Sequence, residues 1–372
     1  MIAHSVSVPE AVPPAGIVAA AMSGGVDSSV AAALLLREGR QVVGLTMDLV
    51  RRGRGGCGDE SRPGCCGSGA RKDAAAVAEA LGIPLYVADF RRTFEKTVIG
   101  PFAEEYLRGR TPNPCLLCNR RVKFGPLLRR AERLGALSLA TGHYARIETD
   151  AASGRRLLRK GLDPDKDQSY FLYSLPQDVL ARTLFPVGGL RKAEVRVLAE
   201  RLGLPTARKP ESQEICFVPN DDYAGFLKPL VPDAFRPGDI VDPEGRTIGR
   251  HGGIARYTIG QRKGLGIAAA HPLYVIAVDV ETNRLTVGPG EALFRRRLRV
   301  EGLSWSAIAG LSTDRKAAVK LRSRHAEAAA VLHPESEEAV TVEFERAQRA
   351  ITPGQAAVFY DGDVVLGGGT IV

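Results

Sequence analysis

Two groups of residues in this 372-residue chain are of types that do chemistry, one with phosphates and one with sulfur. The first is Met22-Ser23-Gly24-Gly25-Val26-Asp27-Ser28-Ser29. The apolar run 17–21 precedes it and reads as a buried parallel strand. Residues 30–36 follow, with the composition of a helix that stops at Gly39. Strand, Gly/Ser turn and helix together aim backbone N–H groups and a positive helix end at an anion. The glycines allow close main-chain approach, and the serines add hydroxyl donors. Asp27 has the wrong charge for a phosphate contact, and Mg²⁺ riding on the phosphates accounts for it. No Gly-Lys-Ser/Thr closes the loop, so it is not a Walker loop.

The second group is built on thiols. Thr111-Pro112-Asn113-Pro114-Cys115-Leu116-Leu117-Cys118-Asn119-Arg120 sets two backbone-fixing prolines ahead of a CxxC pair. Such a pair is a redox couple, half of a zinc site, a nucleophilic thiol or two buried cysteines. Zinc needs two further ligands, and no second CxxC or HxxxH exists. Arg120, Arg121 and Lys123 favour a thiolate nearby. Cys216 lies in Glu211-Ser212-Gln213-Glu214-Ile215-Cys216-Phe217, where a core role and a chemical one fit the neighbours equally.

The elements that must position these groups alternate. Residues 41–47, 84–90 and 136–140 read as strands, the last ending in Thr141-Gly142-His143-Tyr144, and 70–81 reads as a helix. That alternation predicts a doubly wound α/β parallel sheet with its site at the strands' carboxyl ends. Past Cys216 the texture changes. Residues 221–230 read as a short helix, 232–264 as turns, and 317–322, 339–344 and 355–360 as antiparallel strands of a terminal β-barrel. The expected units are a catalytic domain 1–217, a small central domain 218–292 and a barrel domain 293–372.

Composition narrows the class. Hydrophobic content of 44% with 25% charge is that of a soluble protein, and no apolar run approaches the roughly 20 residues of a membrane span. Residues 1–16 lack the pattern of a signal peptide. Six cysteines in such a length are no secreted disulfide framework, so a reducing cytoplasm is expected. The net charge of +9 permits a polyanionic partner. Arginine clusters at 51–52, 91–92, 120–121, 129–130 and 295–297 each read singly as solvated faces, and together they favour nucleic acid.

SGGVDSS after a first strand resembles the pyrophosphate loop of ATP pyrophosphatases. With NPCxxCN, TGHY, the run 160–170 (KGLDPDKDQSY), ESQEICF, the run 257–266 (YTIGQRKGLG) and a terminal PGQAAVFYDG, the chain resembles the bacterial tRNA-specific 2-thiouridylases from about residue 17 onward. The resemblance implies a pyrophosphatase-type α/β domain with a small central domain and a C-terminal β-barrel. It implies that ATP with Mg²⁺ adenylates O2 of the wobble uridine, after which sulfur displaces AMP at C2. By the same resemblance Cys216 carries the persulfide, and Cys118 releases the sulfur by forming a disulfide with it. Ala21, Met22, Ser23, Gly24, Gly25, Val26, Asp27, Ser28, Met47 and Gly142 are expected at the nucleotide. The target base, extruded from its stack, is expected at a strained-looking turn of Asn113, Pro114 and Cys115. His143, Lys166, Asp167, Gln168, Arg322, Ser323 and Gln355 are expected to contact tRNA. From the residues alone, His143 is equally a structural histidine, Met47 a core residue and 166–168 a polar loop. A separate persulfide donor protein is implied, and the working unit is expected to be a monomer.

Many relatives carry aspartate where this chain has Cys115. Cys115, Cys118 and Cys216 therefore offer a second version, a three-thiolate [4Fe–4S] cluster with one iron open to sulfide. Cys57, Cys65 and Cys66 receive no role. Two other readings compete. An amide-forming synthetase of the same fold leaves Cys118 and Cys216 idle, and an RNA-binding protein with a relict loop leaves Ser23 and Asp27 without purpose.

Overall fold

The computed structural model describes residues 16–50, 68–211, 215–218, 220 and 222–372. Cys57, Cys65, Cys66 and residues 212–214 lie outside the described residues. Near the amino end, five strands form a parallel sheet in the order β3-β2-β1-β4-β7. They are β1 (Ile17–Ala21), β2 (Val42–Asp48), β3 (Leu85–Asp89), β4 (Ala136–Ala140) and β7 (Thr183–Leu184). The small residues of β1 let helix α1 (Val26–Arg37) pack closely, and eight of its twelve side chains are buried. Helix α2 (Ser68–Leu81) leads into β3. The alternation of strand and helix written in the sequence is present.

Residues 232–264, expected to be turns, contain two strands. β8 (Gly238–Val241) and β9 (Thr247–His251) join β10 (Tyr274–Asp279) and β11 (Arg284–Gly288) in a sheet ordered β10-β11-β8-β9. The Pro, Gly and Asp steps punctuate those short strands, so turn chemistry hid them. Downstream, β12 (Phe294–Trp305), β13 (Arg315–Lys320), β14 (Ala328–Pro334), β15 (Ala339–Arg349), β16 (Ala356–Asp361) and β17 (Val364–Ile371) are antiparallel. Pairing of β12 with both β15 and β17 closes them into a six-stranded barrel, which removes every open edge.

One connection was not legible. The hairpin β5 (Ala145–Thr149) and β6 (Arg156–Lys160) leaves the parallel sheet and extends the barrel sheet, Arg159 of β6 pairing with Val364 of β17. Asp363 accepts from Arg146 at 2.7 Å and Arg159 at 2.6 Å. Lys160 donates to Gly362 O at 2.9 Å, and Tyr170 donates to Ala356 O at 3.0 Å. The first and last parts of the chain thus share one sheet.

The barrel core is filled by Val340, Val342, Phe344 and Phe359, all fully buried, with Trp305 against Phe359 at 5.6 Å between ring centroids. Phe359→Ala is expected to lower stability by about 3–5 kcal/mol, read as a fall in denaturant midpoint of the full chain.

Candidate functional site

A cleft opens at the carboxyl ends of the parallel strands, as a doubly wound sheet requires. Ala21, Met22, Ser23, Gly25, Asp27, Ser28, Leu45, Met47, Lys123, Thr141, Gly142, His143 and Gln168 line it. Gly25 is the N-cap of α1, and no side chain caps that helix. Its first-turn amides therefore remain available to an anion. The serines brace the turn: Ser28 Oγ accepts from Ser23 N at 3.3 Å and donates to Gly25 O at 3.1 Å. Gly142 lies flat against this turn, where an added Cβ would sit 2.6 Å from Asp27 C and Ser28 N. Of the other residues expected at the nucleotide, Val26 is buried beneath the turn and Gly24 O accepts from Lys209 Nζ at 2.8 Å.

Asp27 is held from two sides. Its Oδ1 accepts from Tyr144 Oη at 2.7 Å and from Lys192 Nζ at 2.6 Å. Lys192, whose side chain is only 9% exposed, also meets Glu211 at 3.2 Å. Glu211 accepts from Lys166 at 2.7 Å. Burial opposes the Glu211 charge, yet Lys166 and Lys192 outweigh it and hold the carboxyl below its usual range. Burial drives the Tyr144 hydroxyl pKa upward, and the Asp27 charge adds to the rise, so Tyr144 is a proton donor at neutral pH.

Two of the thiols belong to one apolar cluster. Cys118 is buried in it, Cys216 packs against it, and so does Met47, which also lines the cleft. Cys115, Cys118 and Cys216 are not in disulfides, and Cys115 is exposed. Among the described residues no group of three His, Cys, Asp or Glu side chains is placed to hold a metal ion. The turn ahead of Cys118 is also unstrained. Asn113 has φ −113° and ψ 101°, ordinary before proline. Its Oδ1 accepts from Cys115 N at 3.1 Å and caps the helix Pro114–Cys118, with Pro114 at its start.

The residues expected to contact RNA divide. Gln168 and His143 line the cleft. Gln168 Oε1 accepts from Tyr144 N at 3.0 Å. His143 is buried against Phe124 and Phe185, with Nδ1 2.6 Å from Thr141 Oγ1. Asp167 is engaged by its own turn, accepting from Gly161 N and Ser169 N at 3.0 Å. Arg322 donates to Ala350 O and Thr352 Oγ1, and burial lowers its pKa. Ser323 beside it is half-buried. Gln355 Nε2 donates to Thr111 O at 2.6 Å.

Family models match almost the whole chain. A tRNA methyl transferase HUP domain covers 17–220, a tRNA methyl transferase PRC-barrel domain 224–289 and an aminomethyltransferase beta-barrel domain 295–371. The tRNA-specific 2-thiouridylase MnmA of Heliobacterium modesticaldum is 53% identical over 95% of this chain and 92% of its own. That of Symbiobacterium thermophilum is 52% identical over 94% and 90%. The chain belongs to the tRNA-specific 2-thiouridylase family. A solved 4-thiouridine synthetase in complex with RNA and ATP, at TM-score 0.37 and 19% identity over 59% of this chain and 51% of that one, is too remote to bear on function. Among the described residues no helix is long and apolar enough to cross a membrane.

Sequence reasoning missed several residues of this cleft. Thr141 and Tyr144 flank Gly142-His143, and their motif was visible. Lys123, read as a neighbour of the thiols, lines the cleft. Lys192 opens the helix Lys192–Arg201, 165 residues from Asp27, and no local pattern marks it. One pH effect follows from His143. Burial, reinforced by the Lys123 charge, lowers its pKa well below 6.5, so the folded protein keeps it neutral while the unfolded chain protonates it. Its contribution to stability is complete above about pH 6.5 and declines as pH falls below that, by at most about 1.4 kcal/mol per unit. Denaturation of wild type and His143→Gln between pH 7.5 and 5.0 should show the steeper decline in wild type.

Proposed function

We propose that this protein is an ATP-dependent tRNA sulfurtransferase that converts the wobble uridine to 2-thiouridine. The observation that carries this reading is that Cys118 and Cys216, far apart in sequence, enter one apolar cluster bordering the anion-ready cleft through Met47. Residues 1–217 would perform the chemistry, while 218–292 and 293–372 would hold the tRNA. ATP would lie with its phosphates at the amino end of α1 and its adenine beside Met47. Mg²⁺, which supplies charge neutralisation of the departing pyrophosphate, would be held on the side of Asp27. That carboxylate is already fixed by Lys192 and Tyr144, so it need not reorganise.

Uracil O2, with the N3 proton removed, attacks the α-phosphorus of ATP, and the bond to the β-phosphate breaks. The terminal sulfur of a Cys216 persulfide then attacks C2, and AMP departs with the C2–O bond. Cys118 as thiolate attacks the Cys216 sulfur, forming a disulfide and leaving the electron pair on the thiouridine sulfur. An external dithiol must reduce that disulfide before the next cycle. The persulfide itself comes from a separate donor protein, and a single copy of the chain suffices. The amide-forming alternative gives the paired thiols no work.

Cys118→Ala and Cys216→Ala should each abolish thiolation by more than about a hundredfold while tRNA affinity holds, since phosphate contacts dominate binding. A mass-resolved nucleoside assay with parallel filter binding checks this; pyrophosphate release with small carboxylates but not with tRNA would overturn the reading. Gly142→Ala should suppress tRNA-dependent pyrophosphate release about tenfold or more, because its Cβ would displace the loop.

A further inference from the structure

We infer that Gln355 is a positioning residue for the turn that carries Cys118, so that the terminal barrel sets the geometry of the thiol site as well as meeting RNA. The kinetic side of this inference rests on the thiolation reading. The geometry stands by itself.

All three parts of the chain converge on Thr111. Its N–H donates to Pro353 O at 3.0 Å, and its carbonyl accepts from Gln355 Nε2 at 2.6 Å. Its hydroxyl donates to Thr258 Oγ1 at 3.1 Å. Both main-chain groups of Thr111 are therefore held by the barrel, and its side chain by the middle region. The holding groups are rigid. Gln355 O accepts from Ile371 N at 2.9 Å within the barrel, and Gly354 N donates to Ile371 O at 3.0 Å. Gly354 has φ +89°, and a Cβ there would lie 3.0 Å from Arg110 Cβ and 3.1 Å from Thr111 N. Only glycine lets the corner approach so closely. On the other side, Thr258 N donates to Gln261 Oε1 at 3.1 Å, and Gly260 N to Val275 O at 2.8 Å.

What lies after Thr111 has little freedom to absorb a displacement. Pro112 and Pro114 fix their own φ angles and restrict the residues before them. Asn113 caps the helix that begins at Pro114 and ends at Cys118. A shift at Thr111 is thus passed to Cys115 and Cys118. Sulfur transfer needs its thiol placed within about 0.5 Å of the productive geometry, and about 1 Å of error can cost a hundredfold.

The test uses the full-length protein with Gln355→Glu, a near-isostere that loses the donor, together with Gln355→Ala and Thr258→Val. Single-turnover thiolation at saturating tRNA and ATP, tRNA Kd by filter binding, and backbone amide exchange over residues 111–118 are measured. At saturating tRNA both Gln355 variants should thiolate about tenfold or more slowly, and without tRNA they should show faster exchange over 115–118. Thr258→Val should shift the same readouts in the same direction by a smaller factor, and it decides the matter if the Gln355 variants misfold. Weakened tRNA binding with an unchanged saturated rate would make Gln355 an RNA contact and overturn the inference. Unchanged exchange over 111–118 would overturn it too. If the wild type fails to thiolate, the function reading falls while the exchange data still decide the clamp.

Discussion

The site depends on how one half-buried carboxylate is balanced. Asp27 sits in the first turn of α1, where the helix end welcomes negative charge. A carboxylate facing phosphates must nevertheless be held and neutralised, or it repels what the turn is built to bind. Lys192 and Tyr144 do this from separate elements. Lys192 is itself too buried to stand without an acidic partner. The pair therefore fastens the helix Lys192–Arg201 to α1, and through Glu211 it reaches the segment leading to Cys216. One ion cluster joins the anion-facing turn to Glu211, five positions before Cys216 in the sequence.

A second constraint is the sharing of polar groups between distant segments. The stretch 167–170, which overlaps the residues 166–168 expected at tRNA, is a joint. Asp167 fixes its own turn, Ser169 Oγ lies 3.2 Å from Tyr360 Oη, and Tyr170 reaches Ala356 O. Gln168 of the same stretch lines the cleft. Cleft and barrel are thereby connected by four consecutive residues, each buried polar group answered by a partner.

Periodicity and turn chemistry made much of this legible. The parallel strands, the uncapped Gly/Ser turn and the terminal antiparallel strands were all visible because each is written locally: apolar runs, a Gly25 N-cap, alternation in 339–344. Three things were not, the passage of the β5–β6 hairpin into the barrel sheet among them. β8 and β9 were hidden under Pro, Gly and Asp residues that mark the ends of short strands. Lys192, Thr258 and the Thr111 clamp depend on tertiary approach, which no spacing encodes. The resemblance was silent on the protein partners of Arg322 and Gln355, since a motif does not say which carbonyl a donor chooses. The strain expected at Asn113 was absent because a proline and a capping amide already make that turn comfortable.

The pairing of β6 with β17 bears on how the polypeptide matures on the ribosome. Arg159 finds Asp363 204 residues later, and Tyr170 finds its acceptor 186 residues later. Until those late strands are synthesised, the hairpin offers an unpaired edge and a buried tyrosine has no bond. Such long-range closure is slow and exposes sticky intermediates. Biogenesis of this molecule is thus timed by its final strands, and a nascent chain stalled before them is a natural client for chaperones.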